Sequence, residues 1–277
     1  MAGVSDYDVI LVPADFSTIQ AAVDAVHRRT TIVVDPGDYD GAVVVTAKEY
    51  VVIQSAGLSR RGVTLSAGEG DAVVSVDRAT VHLSGIEIRS NLRIRGICVS
   101  DAAISLQECV IAGNRVSAQS REPFGAAMLC RRSSVHLQKS VLSGNMIDTS
   151  GPLGCGGGLY LERCIAHIAG CSVQVNAVHA AEEARGGGIW CEGTRLRMWR
   201  SRVTENSLHA RSCEGAGIYF RDAEETQIGG SVIVGNGSSS GRGGGIVLGP
   251  GADGVSVHRN SAVRLNHPDD VCGDPSQ

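Results

Sequence analysis

Apolar and polar residues alternate in short runs along most of the chain, as in Leu159/Leu161 and Ile189/Cys191. A period of two belongs to strands, whose side chains point alternately to two faces, and the 3.6-residue stripe of a helix is missing from these segments. The runs themselves repeat. Asparagine recurs as Asn91, Asn114, Asn145, Asn176, Asn206, Asn236 and Asn266, at separations of 23, 31, 31, 30, 30 and 30. Five residues before these stand Ile86, Cys109, Ser140, Cys171, Ser201, Ser231 and Ser261, and three before them Ile88, Ile111, Leu142, Val173, Val203, Ile233 and Val263. Glycine-rich strings keep the same register: Gly156-Gly157-Gly158-Leu159, Gly186-Gly187-Gly188-Ile189, Gly215-Ala216-Gly217-Ile218 and Gly243-Gly244-Gly245-Ile246. A small, an aliphatic and an Asn column in one register predict a parallel β-solenoid in which each coil lies on the last and buries like against like. The asparagines are expected to form one line, bonded from coil to coil, that supports bends without other partners.

The amino-terminal region departs from this pattern. Ser17 followed three residues later by Gln20 predicts a capping box, and Ile19, Ala22, Val23 and Val26 form an apolar stripe, so a short helix is expected to plug the first coil. Thr31 to Val34, Val43 to Val45 and Tyr50 to Ile53 read as the first strands. His267-Pro268-Asp269-Asp270 opens a polar tail that reads as a solvated cap. One domain over 1–277 is expected, with a cap at 1–30, coils at 31–266 and a tail at 267–277.

The Asn and glycine columns resemble right-handed parallel β-helix proteins of the pectate-lyase-like superfamily over nearly the whole chain. The resemblance implies an all-β, single-stranded right-handed parallel β-helix with a short N-terminal capping helix. The segment Thr18 to Ala25, followed by Ile32 to Val45, is similar to the opening region of pectin methylesterases and other β-helix enzymes. Asn176 to Gly188 and Asn206 to Gly217 look like the short repeats of bacterial surface β-helices. The strings around the catalytic aspartates of methylesterases are missing, as are the paired-Asp and Gly-His-Gly strings of polygalacturonases and the acidic calcium cluster of pectate lyases. The resemblance therefore carries over no catalytic residue.

Composition narrows the picture further. Glycine at 36 of 277 residues and aromatics at 4% suit a core of stacked small and β-branched side chains. A net charge of −4 gives no electrostatic case for nucleic acid or an anionic membrane. No apolar run reaches the roughly 18 residues of a membrane span. Met1 to Asp8 contain two acids and no basic stretch, so a cytoplasmic protein is expected. Nine cysteines show no CxxC spacing. Cys109, Cys130, Cys171 and Cys191 fall on inward columns and are expected to be buried, reduced thiols, whereas Cys155 and Cys213 read as loop residues and Cys272 as part of the tail.

The interior is packed, so chemistry is expected on the outer surface. Outward positions after the glycine strings give a row of Cys98, Leu129, Tyr160, Trp190, Tyr219 and Val247, and two residues on a row of Ser100, Arg131, Glu162, Glu192, Arg221 and Gly249. Neighbouring coils lie about 4.8 Å apart. Tyr160, Trp190 and Tyr219 are therefore expected to form an exposed aromatic strip for a sugar ring or another flat ligand, with Arg131 and Arg221 clamping a substrate carboxylate; the alternative is that the long loops fold over the strip and bury it as a satellite core. Glu162 and Glu192, one coil apart, repel one another, and one is expected to keep a proton for acid/base work. Polar insertions at Arg115 to Phe124, Met146 to Cys155, Ala177 to Arg185 and Ser207 to Glu214 are expected to wall the strip into a cleft. Three residues past each Asn, Asp148, His179 and His209 align; the histidines are candidate acids and bases, and with Asp148 they could hold a divalent metal, although no cofactor is required. His82, His136, His167 and Arg197, interrupted by Ser105, read as a solvated face.

Three functions fit these features. The first is an enzyme acting on an acidic saccharide by lyase, epimerase or hydrolase chemistry. The second is an intracellular cyclase or isomerase of a small biosynthetic intermediate, using Glu162, Glu192, His179 or His209. The third is a non-catalytic binding or scaffold β-helix. The expected partner is a small-molecule or oligosaccharide ligand, with no nucleic acid and no membrane.

Overall fold

The computed structural model describes residues 8–57, 62–90, 93–117 and 122–273. Every strand pair is parallel, and the strands stack into sheets of ten, nine, nine, five and three. A full coil is illustrated by Leu159–Glu162, Ile165–Ala169, Ser172–Gln174, Ala177–His179 and Glu183–Arg185. These strands are called here the first, second and third faces of the main tube, followed by a first and a second lateral strand. Among the described residues the earlier coils show only the three main faces, as at Val51–Ser55, Val63–Ala67 and Ala72–Asp77.

Alternation does what its period requires. Leu161, Ile168 and Val173 point into the main tube and are buried. Inward columns pair identical registers, as in Cys130 on Leu161, Cys191 and Phe220. Each fully buried side chain of Leu or Phe size contributes roughly 1.5–3 kcal/mol. Sharp bends between faces use left-handed backbone at Asp101, Arg132, Arg163 and Asp222, with Gly193 filling the same column. Such bends recur at every coil, so strain is spread rather than concentrated.

The Asn line forms as expected from Asn114 to Asn266; Asn91 lies outside the described residues. Asn114, Asn145, Asn176, Asn206 and Asn236 each donate from Nδ2 to Oδ1 of the next at 2.9–3.0 Å. The backbone N–H of each donates to the same oxygen, and Nδ2 also reaches a carbonyl one coil back, such as Leu142 for Asn176. A second ladder runs through the Ser/Cys column: the Cys109 N–H donates to Ser140 Oγ, the Ser140 N–H to Cys171 Sγ and the Cys171 N–H to Ser201 Oγ. Fully partnered in this way, the buried polar side chains do not carry the cost of desolvation.

The glycine strings answer to the asparagines. A Cβ on Gly158 would lie 3.1 Å from Asn176 Nδ2, and one on Gly157 would lie 2.7 Å from the Ala177 carbonyl oxygen. The chain thus leaves the main tube at Asn and returns at Gly through a neck too narrow for side chains.

Several expectations are corrected. The helix spans Ile19–Asp24, and its N-cap is Thr18, whose side chain accepts from the Ala21 N–H, rather than Ser17. Gln20 instead bonds Val44 and Asp24, tying the helix to the first coil. The insertions expected as polar loops are strands of the two lateral sheets, except that residues 118–121 lie outside the described residues. These strands enclose a second core of Val116, Ile147, Val178 and Leu208 with Ala126, Ala184, Cys213 and Ala216. Cys155 and Cys213 are accordingly buried in strands. The tail is more than a solvated cap: Val271–Cys272 extends the first face, and Asp270 accepts from both the N–H and Nδ2 of Asn266, ending the Asn ladder. Among the described residues no helix is long and apolar enough to cross a membrane.

Candidate functional site

The first face carries the two expected rows in register: Tyr160, Trp190 and Tyr219 pair as neighbours, as do Arg131, Glu162, Glu192 and Arg221. The rings stack at 6.0 Å and 4.6 Å with planes within 5° of parallel, and Phe124 extends the stack to Tyr160 at 4.9 Å. The expected exposed strip is nevertheless buried, with Tyr160 at 5%, Trp190 at 3% and Tyr219 at 3% exposure. The second lateral sheet folds over it, and Leu153, Cys155 and Phe124 close a third apolar cluster around the rings. Stacked rings are a large apolar surface, and the lateral strands cover it more favourably than water does. Burial also pushes the Tyr160 and Tyr219 phenols upward, away from proton exchange at neutral pH.

The charged row beside the rings is half-buried and internally balanced. Arg131 donates to Glu162 at 2.9 Å and to Glu122 at 2.9 Å, while Arg221 lies 3.8 Å from Glu192. Arg131 and Arg221 are thus engaged by the protein's own carboxylates. A facing row, unforeseen from the sequence, runs along the lateral sheet. Arg185 bridges Glu183 and Glu214 at 3.0 Å each, Arg242 joins Glu214 at 2.9 Å, and the Arg185 guanidinium lies over the Tyr219 ring at 5.5 Å. Its signal was present, since Arg185, Glu214 and Arg242 each immediately precede a glycine string.

Asp148, His179 and His209 do align on the first lateral sheet. His179 and His209 lie 5.6 Å apart between centroids, tilted by 57°, and Asp148 is ion-paired with Arg115. The expected three-residue metal set does not converge, and among the described residues no three His, Cys, Asp or Glu side chains form one. The physical reason is that each side chain stands on its own coil, and Arg115 draws the carboxylate toward the amino-terminal side. His136 and His167 stack at 4.9 Å on the second face. Burial, with His136 and Arg197 nearby, lowers the His167 pKa.

Among the described residues the exposed aromatic ring of Trp or Tyr type is that of Trp199, which belongs to none of the columns picked out in the sequence. It lies at the end of the second-face strand Arg195–Trp199 and is 37% exposed. Its column reads Gln138, Ala169, Trp199 and Gly229. The indole packs toward Gly229, where a Cβ would overlap the ring, and tilts against His258 at 5.1 Å. On its other side a slot of about 520 Å³ opens, lined by Gln138, Lys139, Ala169, Gly170, Trp199 and Arg200. Small residues at Ala169 and Gly170, between larger ones on the adjoining coils, make the slot. Its walls stand two coils apart, about 9.6 Å between backbones.

Comparison with known proteins gives the following. No curated protein matches the sequence. Among solved structures, a pectin methylesterase mutant in complex with a hexasaccharide is 8% identical, covering 94% of this chain and 93% of its own, with a TM-score of 0.49. The carrot pectin methylesterase is 12% identical, covering 96% and 90%, with a TM-score of 0.48. The Aspergillus niger pectin methylesterase in deglycosylated form is 11% identical, covering 99% and 86%, with a TM-score of 0.43. None of these likenesses bears on what this chain binds or does. A family model for the right-handed beta helix region matches residues 61–262, more than half of the chain, in agreement with the coil, its parallel sheets and the Asn ladder, and the chain belongs to that right-handed β-helix family.

Proposed function

We propose that the protein is a binding β-helix whose ligand is an acidic saccharide, held against Trp199 on the second face. The observation that carries this reading is the slot beside the indole: a flat aromatic wall, a floor of Ala169 and Gly170, and a lining that contains Lys139 and Arg200 but no carboxylate. A sugar ring fits a slot one coil wide, its C–H face against the indole, and Arg200, which has no ion pair among the described residues, favours a carboxylate on that ring beside Lys139, which lies 3.6 Å from Glu108. The Arg131, Glu162, Glu192 and Arg221 row has no cation comparable to Arg200, because both of its arginines are paired with the protein's own carboxylates. Tyr160, Trp190 and Tyr219 act in this reading as the core that fixes the lateral sheet. The slot contains no acid/base pair, so the reading is one of binding and assigns no bond cleavage.

Calorimetric titration with oligouronates and with matched neutral oligosaccharides tests it. The acidic series should bind, more weakly as salt is raised, since the cations lie at the surface. Trp199→Ala should weaken binding about two- to tenfold, the scale of a ring-stacking contact of roughly 0.5–1.5 kcal/mol. Equal affinity for both series, or unchanged binding by Trp199→Ala, would remove the proposal.

A further inference from the structure

A second cavity lies where the lateral core begins. Arg95 starts a strand of the first face, Arg95–Ser100, and its neighbour toward the amino terminus is Ala72. In later coils the same column is continued by Ala126, Gly157, Gly187, Ala216 and Gly244, residues small enough for the neck. Among the described residues no lateral strand precedes Arg115–Ser117 in its sheet, and Arg95 lies at that end of the second core beside Val116. The cavity there is about 200 Å³, and Asp71, Arg93, Arg95, Val116 and Ser117 contribute to its lining.

Arg95 is 6% exposed. One terminal nitrogen donates to the Glu122 carbonyl at 3.0 Å, while Nε meets no hydrogen-bond partner among the described residues. Arg95 forms no ion pair among them either, and the Glu122 carboxylate is engaged by Arg131. Burial pulls the Arg95 guanidinium below its ordinary pKa, the mark of a charge removed from water without full compensation. An aliphatic side chain would cover Val116 without that cost, since a buried charge lacking its partner is strongly destabilising. A buried arginine that lines a polar cavity and has no carboxylate paired to it among the described residues is instead suited to a ligand that brings oxygens and a negative charge. Arg93 adds a second cation, so the lining is net positive even with Asp71. The cavity is below the roughly 300–1,000 Å³ of ordinary drug-sized sites, which restricts the ligand to a small molecule or a terminal group.

We propose that the Arg95 cavity binds a small oxyanion, a carboxylate or a phosphate, in the fork of the Arg95 guanidinium. The assignment is independent of the Trp199 slot, which lies on another face.

The test is titration of the whole protein with inorganic phosphate, acetate and galacturonate, followed by calorimetry and by the arginine Nε–H signals in NMR. One buried Nε–H signal should move saturably, and Arg95→Gln should abolish that signal and weaken binding by about tenfold or more, as expected for a lost hydrogen bond to a charged group. Arg93→Gln should weaken binding to a lesser degree and serves if Arg95→Gln does not fold. Trp199→Ala should leave the Arg95 Nε–H response unchanged, whatever it does to galacturonate binding in the Trp199 slot. A response to phosphate alone identifies a phosphate site, and a response to acetate or galacturonate a carboxylate site. An Nε–H signal unmoved by all three anions, or phosphate and acetate binding that survives both arginine changes, would overturn the proposal.

Discussion

Asn176 shows how much a single turn residue carries. Its Oδ1 accepts from the N–H and Nδ2 of Asn145, and its own Nδ2 donates to Asn206 Oδ1 and the Leu142 carbonyl. Alanine there leaves several buried polar groups without partners at once. Asn176→Ala should therefore cost about 2–4 kcal/mol in urea unfolding, more than one surface hydrogen bond, because each stranded group loses water without replacement. The same chemistry explains Asp270: the ladder ends where only acceptors are needed, and a carboxylate supplies them. The line of asparagines was legible in the sequence because a hydrogen-bonded column tolerates few residue types. Asp270 was not, since it stands four residues beyond Asn266 and reaches the ladder only when the tail folds back.

At the scale of the element, the two tryptophans lead opposite lives although both lie on outward positions of strands. Trp190 belongs to a stack closed by the lateral sheet, whereas Trp199 stands on the second face, which has no sheet over it. Trp190→Ala should destabilise the protein by about 3–5 kcal/mol, the range for emptying a buried ring site, as read by denaturant unfolding. Trp199→Ala should change stability by less than about 1 kcal/mol, since the ring is partly exposed. Equal effects would mean that the lateral sheet does not seal the stack. Period-two alternation identifies which residues point outward, and it cannot tell an outward side chain in water from one under another sheet. The insertions themselves held the answer in part: Val116, Ile147, Val178 and Leu208 recur in register, which marks a strand with one buried side rather than a polar loop.

The whole molecule is held by stacking without covalent links between coils. All nine cysteines are free, seven are buried, and Cys98 and Cys272 are partly accessible. Burial raises the Cys109 and Cys164 thiols to about 11 and pushes those of Cys155 and Cys191 higher still, so the reactive thiolate is suppressed. The melting temperature should therefore be the same with and without reductant. A thiol reagent applied to the native protein should modify at most Cys98 and Cys272, as counted by mass. Rapid modification of Cys109, Cys130, Cys171 or Cys191 would show that the coils open far more readily than a continuous ladder permits. Cys164 extends the pattern beyond the columns visible at first reading. Its N–H donates to Thr194 Oγ1, in a third ladder between the first and second faces.

The sequence by itself determined the repeat, the strand period, the inward columns, the Asn line and the neck glycines, because each of these is set by contacts between equivalent residues of adjacent coils. Such contacts imprint the same residue at the same register, so they can be read along the chain. Whether Tyr160, Trp190 and Tyr219 face water, whether Arg131 and Arg221 are available to a ligand, whether Asp148 turns toward His179 or Arg115, and where Arg95 and Trp199 find open space were decided only by the tertiary structure. Those outcomes depend on how the lateral sheets lie against the main tube. That is a contact between different columns, and no repeating residue records it.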